Sequence, residues 1–198
     1  VSCWRYGRGE MHDLKKISER FISAWINFTN ATKSLRSNEK SYQAWFASSL
    51  IQEFGIARVY RELHLEKGQL RKPCRSTFNE AFKLLGLEKG NEFFPDVCIS
   101  YKEDVDTRSS TARDPDLREV PDILSKMAVI TEFKTGFSSK QTTRYKNVYQ
   151  DILKLGLLSC VSNESTMYFM CIYFSVLPVM CLSWPAHSAL NSPAPFTT

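Results

Sequence analysis

Residues 128–136, AVITEFKTG, constrain the fold of this chain more than any other stretch. Ala128 to Thr131 are small or β-branched and uncharged, the composition of a strand buried on both faces. Glu132 and Lys134 then follow two residues apart. On a strand, residues i and i+2 point to the same face. A carboxylate and an ammonium therefore emerge side by side at the end of an apolar run, as a surface ion pair or as part of a site.

The surrounding pattern supplies the rest of an α/β domain. Leu14, Ile17, Phe21, Trp25 and Phe28 recur every three or four residues and predict one amphipathic helix. Ser37 or Asn38 caps a second, EKSYQAWFASSLIQEF, which Gly55 ends. Residues 56–65 alternate enough for a strand, residues 66–76 read as a basic loop, and residues 78–87 suit a short helix. Residues 93–101, FFPDVCISY, form another strand. The charged, proline-punctuated segment 102–122 reads as an exposed insertion. After the central strand come a helix through YQDILKL and a strand over 167–175. The division expected is an N-terminal helical extension (1–36), an α/β core (37–176) and a C-terminal tail (177–198).

A net charge of +5 and a pI near 8.9 lean towards an anionic partner such as nucleic acid. The six cysteines show no paired spacing and no zinc-finger pattern, so they read as reduced thiols of an intracellular protein. The secreted alternative has Asn27, Asn30 and Asn163 in the short glycosylation pattern. Met167–Trp184 is charge-free, but its aromatic first half favours a buried strand over a transmembrane helix, so no membrane partner is expected. The three histidines are scattered, and no GxSxG elbow, P-loop or dinucleotide fingerprint is present.

Pro95-Asp96 changes the reading of Glu132 and Lys134. If the two apolar strands pair antiparallel through the charged insertion, Asp96 falls opposite Glu132. Two carboxylates this close repel unless a cation sits between them. Magnesium suits such oxygen ligands, since it keeps several waters and accepts one or two carboxylates plus a phosphate.

Pro95-Asp96 followed by Glu132-Phe133-Lys134 resembles the signature of the PD-(D/E)XK nuclease superfamily, over roughly residues 37–175. The resemblance implies a restriction-endonuclease-like core, a mixed central β-sheet flanked by helices, with the N-terminal helix as an addition. It implies that Asp96, Glu132 and the backbone carbonyl of Phe133 ligate Mg2+, with Mn2+ as a substitute. Lys134 would position or deprotonate the attacking water and offset charge on the phosphate. Asp122 is the alternative to Asp96, through a tight hairpin, and Pro115-Asp116 is a third match; Asp96 is preferred because Val97–Tyr101 makes a full strand. Many members add a glutamate from the first core helix, here Glu39 or Glu53. Members also use the helix after the Glu-x-Lys strand to approach nucleic acid, where Gln150 could face the site. Lys140, Arg144 and Lys146 precede or occupy that helix; the alternative is a solvated helix face on which Asp151 and Lys154 form a local pair. Arg71, Lys72 and Arg75 form the densest basic cluster, suited to phosphate contacts. The function expected is a magnesium-dependent phosphodiesterase acting on nucleic acid, DNA ahead of RNA. A homodimer stays open, since members that cut both strands are often dimers. The rival is a catalytically silent copy of the fold that binds nucleic acid or a protein.

Overall fold

The computed structural model describes residues 8–66, 70, 72–84, 92–103, 105, 120–136, 141–162, 166–173 and 178–185. For residues 8–13, 66, 73, 74, 84, 92, 121, 141–146 and 178–185 the description covers the backbone alone.

Helix α1 (Arg8–Thr32) and helix α2 (Glu39–Phe54) open the chain. Asn38 caps α2, its side chain accepting from the Ser41 amide at 2.9 Å, and so satisfies a donor the helix leaves unpaired. Gly55 stops the helix at φ 84°, donating its amide to the Ile51 carbonyl. That left-handed conformation is one glycine adopts without the Cβ clash.

A single 3-10 turn (Ile56–Arg58) leads into β1 (Val59–Arg61). Then come β2 (Leu65–Glu66), α3 (Lys72–Leu84), β3 (Glu92–Phe93) and β4 (Val97–Ser100). The chain continues through α4 (Val120–Leu124), β5 (Met127–Thr135), α5 (Gln141–Ser159), β6 (Met167–Tyr173) and β7 (Pro178–Pro185). Five strands form one mixed sheet in the order β1-β4-β5-β6-β7, while β2 and β3 pair separately. Among the described strands of this sheet only β5 and β6 pair parallel, and α5 makes the crossover between them. The domain is therefore α/β, a mixed sheet with helices on both faces.

One face of the sheet is covered by α1 and α2. Phe21, Trp25 and Phe28 of α1 meet Tyr42 and Phe46 of α2 and Phe133, Phe169 and Tyr173 of the sheet. The Phe21 and Phe169 rings stack at 4.2 Å, and the Phe133 ring touches Trp25, Phe28 and Phe46. On the other face, α3, α4 and α5 bury Phe78, Ile123, Leu155 and Leu158 against Cys98, Ile130 and Met170. Phe133 thus faces the α1/α2 layer, and its neighbours Glu132 and Lys134 project to the other side by strand alternation.

Several expectations are corrected here. The strand expected over 56–65 is broken, because Glu62 adopts φ 49°, an uncommon conformation for a residue with a Cβ. The strand over 93–101 divides at Pro95, which has no N–H to give a ladder; β3 pairs with β2 before it and β4 with the main sheet after it. The basic loop ends earlier than expected, because α3 already begins at Lys72. The end of the charged insertion is helical and buried: Val120, Ile123 and Leu124 of α4 pack in the core. Its residues 104 and 106–119, including Pro115-Asp116, lie outside the described residues. Helix α1 is built into the core rather than added to it, and residues 178–185 of the expected tail form the strand beside β6. Thr29 and Thr32 of the two glycosylation patterns on α1 are buried, and Thr32 bonds the Phe28 carbonyl and the Tyr173 hydroxyl. No helix among the described residues is long and apolar enough to cross a membrane.

Candidate active site

The register of β4 and β5 sets the centre. Val97 lies opposite Thr131, so Asp96, one residue before β4, meets β5 beside Glu132 and Phe133. Its Oδ2 accepts the Phe133 amide at 2.7 Å, while its backbone carbonyl accepts the Glu62 amide at 3.1 Å. The left-handed turn at Glu62 therefore clamps Asp96 from behind. Pro95 removes the N–H that would continue the ladder, which lets the aspartate turn into the strand end.

Glu132 is buried at 1% exposure. Its Oε1 contacts the Lys154 ammonium from α5. Lys134 pairs with Asp151 of α5 at 3.0 Å and with Glu39 of α2 at 3.4 Å. Glu39 also accepts the Thr135 amide at 3.1 Å, so the start of α2 is tied to the end of β5. Asp151 and Lys154 themselves lie 3.5 Å apart. Four carboxylates (Glu39, Asp96, Glu132, Asp151) thus share one corner with two ammonium groups.

The electrostatics follow from burial and neighbours. Burial pushes the Glu132 carboxyl well above its ordinary range; Lys154 opposes this, while Asp151 and Asp96 add to it. Asp96 is also shifted up, mainly by burial, against the pull of the Phe133 amide, Lys134 and Lys154. Burial alone would lower Lys134, but Asp151 and Glu39 outweigh it and the net shift is upward. Lys154 is likewise raised, Glu132 and Asp151 overcoming its burial. Both lysines are therefore held as cations. The buried Cys98 thiol nearby is driven up by burial and then by Glu132 and Asp96, so it stays protonated and is no nucleophile.

The structure brings Asp96, Glu132, Lys134 and Glu39 together. Asp122 lies elsewhere, exposed on the outer side of α4, whose Val120, Ile123 and Leu124 are buried, and is paired with Lys126 at 3.1 Å. Lys126 accepts the Tyr101 amide, which puts it at the opposite end of the β4–β5 pair from Asp96. Glu53 accepts from Ser23 of α1 at the far end of α2, a contact between the two helices. On α5 the residue that reaches the cluster is Asp151, not its neighbour Gln150, because successive helical residues turn about 100° from one another. Of the two readings of this helix, the solvated local pair is corrected: Asp151 and Lys154 are nearly buried against β5. A sequence signal for this exists: Val148, Asp151, Leu155 and Leu158 share one helical stripe, so Asp151 stands at an apolar position.

Of the basic residues, Lys72 is exposed and Arg75 half-buried on α3. Arg71 and Lys140 lie outside the described residues, and Arg144 and Lys146 fall where α5 is described by its backbone alone. Among the described residues no three or more His, Cys, Asp or Glu side chains form a ready metal cage. Magnesium needs none, since it binds through one or two carboxylates and keeps its waters. No family model, curated protein or solved structure matches this chain.

Proposed function

We propose that the chain is a divalent-metal-dependent phosphodiesterase of PD-(D/E)XK type with a restriction-endonuclease-like core, acting on nucleic acid, DNA ahead of RNA. The observation that carries the reading is the corner where Asp96, Glu132, Lys134 and Glu39 meet from three separate elements. Counted as ionised, the four carboxylates exceed the two ammonium groups by two negative charges, which one Mg2+ or Mn2+ ion would neutralise. Its binding would favour the ionised form of the raised Asp96 and Glu132. Asp96 and Glu132 would hold the ion. The Phe133 carbonyl points to the same side of β5 as its amide, the side where β4 has ended and Asp96 sits. Bound there, the metal would generate a hydroxide-like nucleophile and clamp the scissile phosphate. Lys134, held as a cation by Asp151 and Glu39, offsets charge on the phosphate rather than taking a proton from water. Glu39 and Asp151 orient that ammonium. The three cysteines whose side chains are described, Cys98, Cys160 and Cys171, are free thiols, which supports an intracellular setting.

The silent-module reading keeps one specific observation in its favour: Lys154 already sits on Glu132 as an internal cation. Metal binding separates the two readings. Saturating Mg2+ or Mn2+ at about 100 times its dissociation constant adds about 2.7 kcal/mol of stability. For a chain of this size that raises Tm by about 5–10 °C. Asp96→Ala is expected to abolish the shift, and Asp122→Ala to leave it intact. Plasmid and single-stranded DNA are expected to be cut in either metal and spared in EDTA, with the same contrast between the two variants. A melting curve indifferent to both metals, with no cutting of DNA or RNA, rejects the enzyme.

A further inference from the structure

We propose that Phe94, backed by His64, is a stacking platform for an unpaired nucleobase beside the carboxylate corner, which makes single-stranded or locally opened nucleic acid the substrate. The inference rests on the nuclease reading and narrows it.

Strand alternation explains why one of two adjacent phenylalanines is outside. Phe93 is buried and packs on Phe78 at 4.7 Å between ring centroids, while Phe94 remains 43% exposed. The Phe94 ring is nevertheless held in place. It lies flat on the His64 imidazole, with centroids 4.8 Å apart and planes 13° apart. The imidazole covers one part of the ring and leaves much of the residue open to solvent. A fixed, outward-facing aromatic surface is what a base stacks on, whichever base it is.

Position gives the platform its role. Only Pro95 separates Phe94 from Asp96, so their Cα atoms lie no more than about 7 Å apart. At about 3.4 Å of rise per nucleotide, a base on Phe94 belongs one or two nucleotides from a phosphate at the carboxylates. The contact of Phe78 with Phe93 packs the middle of α3 against the buried face of β3. Arg75, half-buried, and Lys72, exposed, lie on the turns of α3 before Phe78; phosphate contacts by them would hold a strand without reading its sequence. Bases inside a duplex already stack on one another and are closed to the ring unless extruded.

Binding of a labelled oligothymidine and of a duplex of equal length, both in EDTA, tests the platform without any cleavage. Phe94→Ala is expected to weaken single-strand binding by about 5- to 150-fold, while Phe94→Trp retains it. Duplex affinity is expected to stay the same in all three proteins. Equal single-strand affinity in Phe94→Ala and wild type overturns the platform, as does an equal loss on duplex or the absence of any single-strand binding by wild type. If Phe94 discriminates but wild type cuts nothing in Mg2+ or Mn2+, the platform stands and the nuclease reading falls. If wild type cuts and Phe94 makes no difference, the reverse holds.

Discussion

Lys134→Ala is expected to lower metal-dependent DNA cleavage by about 10²- to 10³-fold, the usual cost of removing one group that stabilises charge in the transition state. The fold is expected to survive. Phe133, not Lys134, anchors this part of β5 in the core, and Lys134 is partly exposed. Its two partners keep other contacts: Asp151 retains Lys154, and Glu39 retains the Thr135 amide. Deleting one ammonium also raises the excess negative charge of the corner. The metal-induced rise in Tm is therefore expected to persist, or grow, in the variant that no longer cuts. That split, metal bound but chemistry lost, distinguishes a catalytic lysine from a structural one. Lys134→Ala that cuts at the wild-type rate removes Lys134 from the mechanism. Loss of cutting together with the metal shift assigns it to holding the site instead.

The centre was legible because it depends on local patterns that a sequence displays. An apolar run ending in Glu132-x-Lys134 and a Pro95-Asp96 strand start specify two strands and the end at which each carries its charge. Antiparallel pairing then places Asp96 by register alone. The cap at Asn38 and the stop at Gly55 were similarly local. What escaped the sequence depends on partners far along the chain. Asp151 and Lys154 form an ordinary exposed pair on any isolated helix; they are buried because Glu132 and Lys134 receive them. The strand over 178–185 was hidden by its prolines. Yet Pro178 and Pro185 are its first and last residues, and at the edge of a sheet a proline there removes no needed ladder bond. The bend at Glu62 has no glycine to announce it; the carbonyl of Asp96 holds it.

Lys154→Met is expected to give the largest loss of stability of any single change at this corner. Methionine keeps much of the length and packing of the lysine stem but leaves Glu132 buried without its ammonium. Breaking a buried pair in this way costs about 3–5 kcal/mol, on the order of 10 °C in Tm for a chain of this size. The loss should also depend on pH, with a definite sign. Burial already lifts the folded-state pKa of Glu132, and Lys154 is the main group opposing that lift. Without Lys154 the pKa rises further, while in the unfolded chain it stays near the ordinary value of about 4.3. The folded variant then binds a proton that the unfolded chain has released. Stability is therefore fully present below the unfolded pKa and is lost as pH rises through the raised folded one. Urea unfolding midpoints of wild type and variant are expected to nearly coincide at acid pH and to diverge towards neutral. A gap that is constant with pH contradicts the role given to Lys154. Adding Glu132→Gln to Lys154→Met is expected to recover most of the loss, because the pair is then removed together and no charge is left stranded.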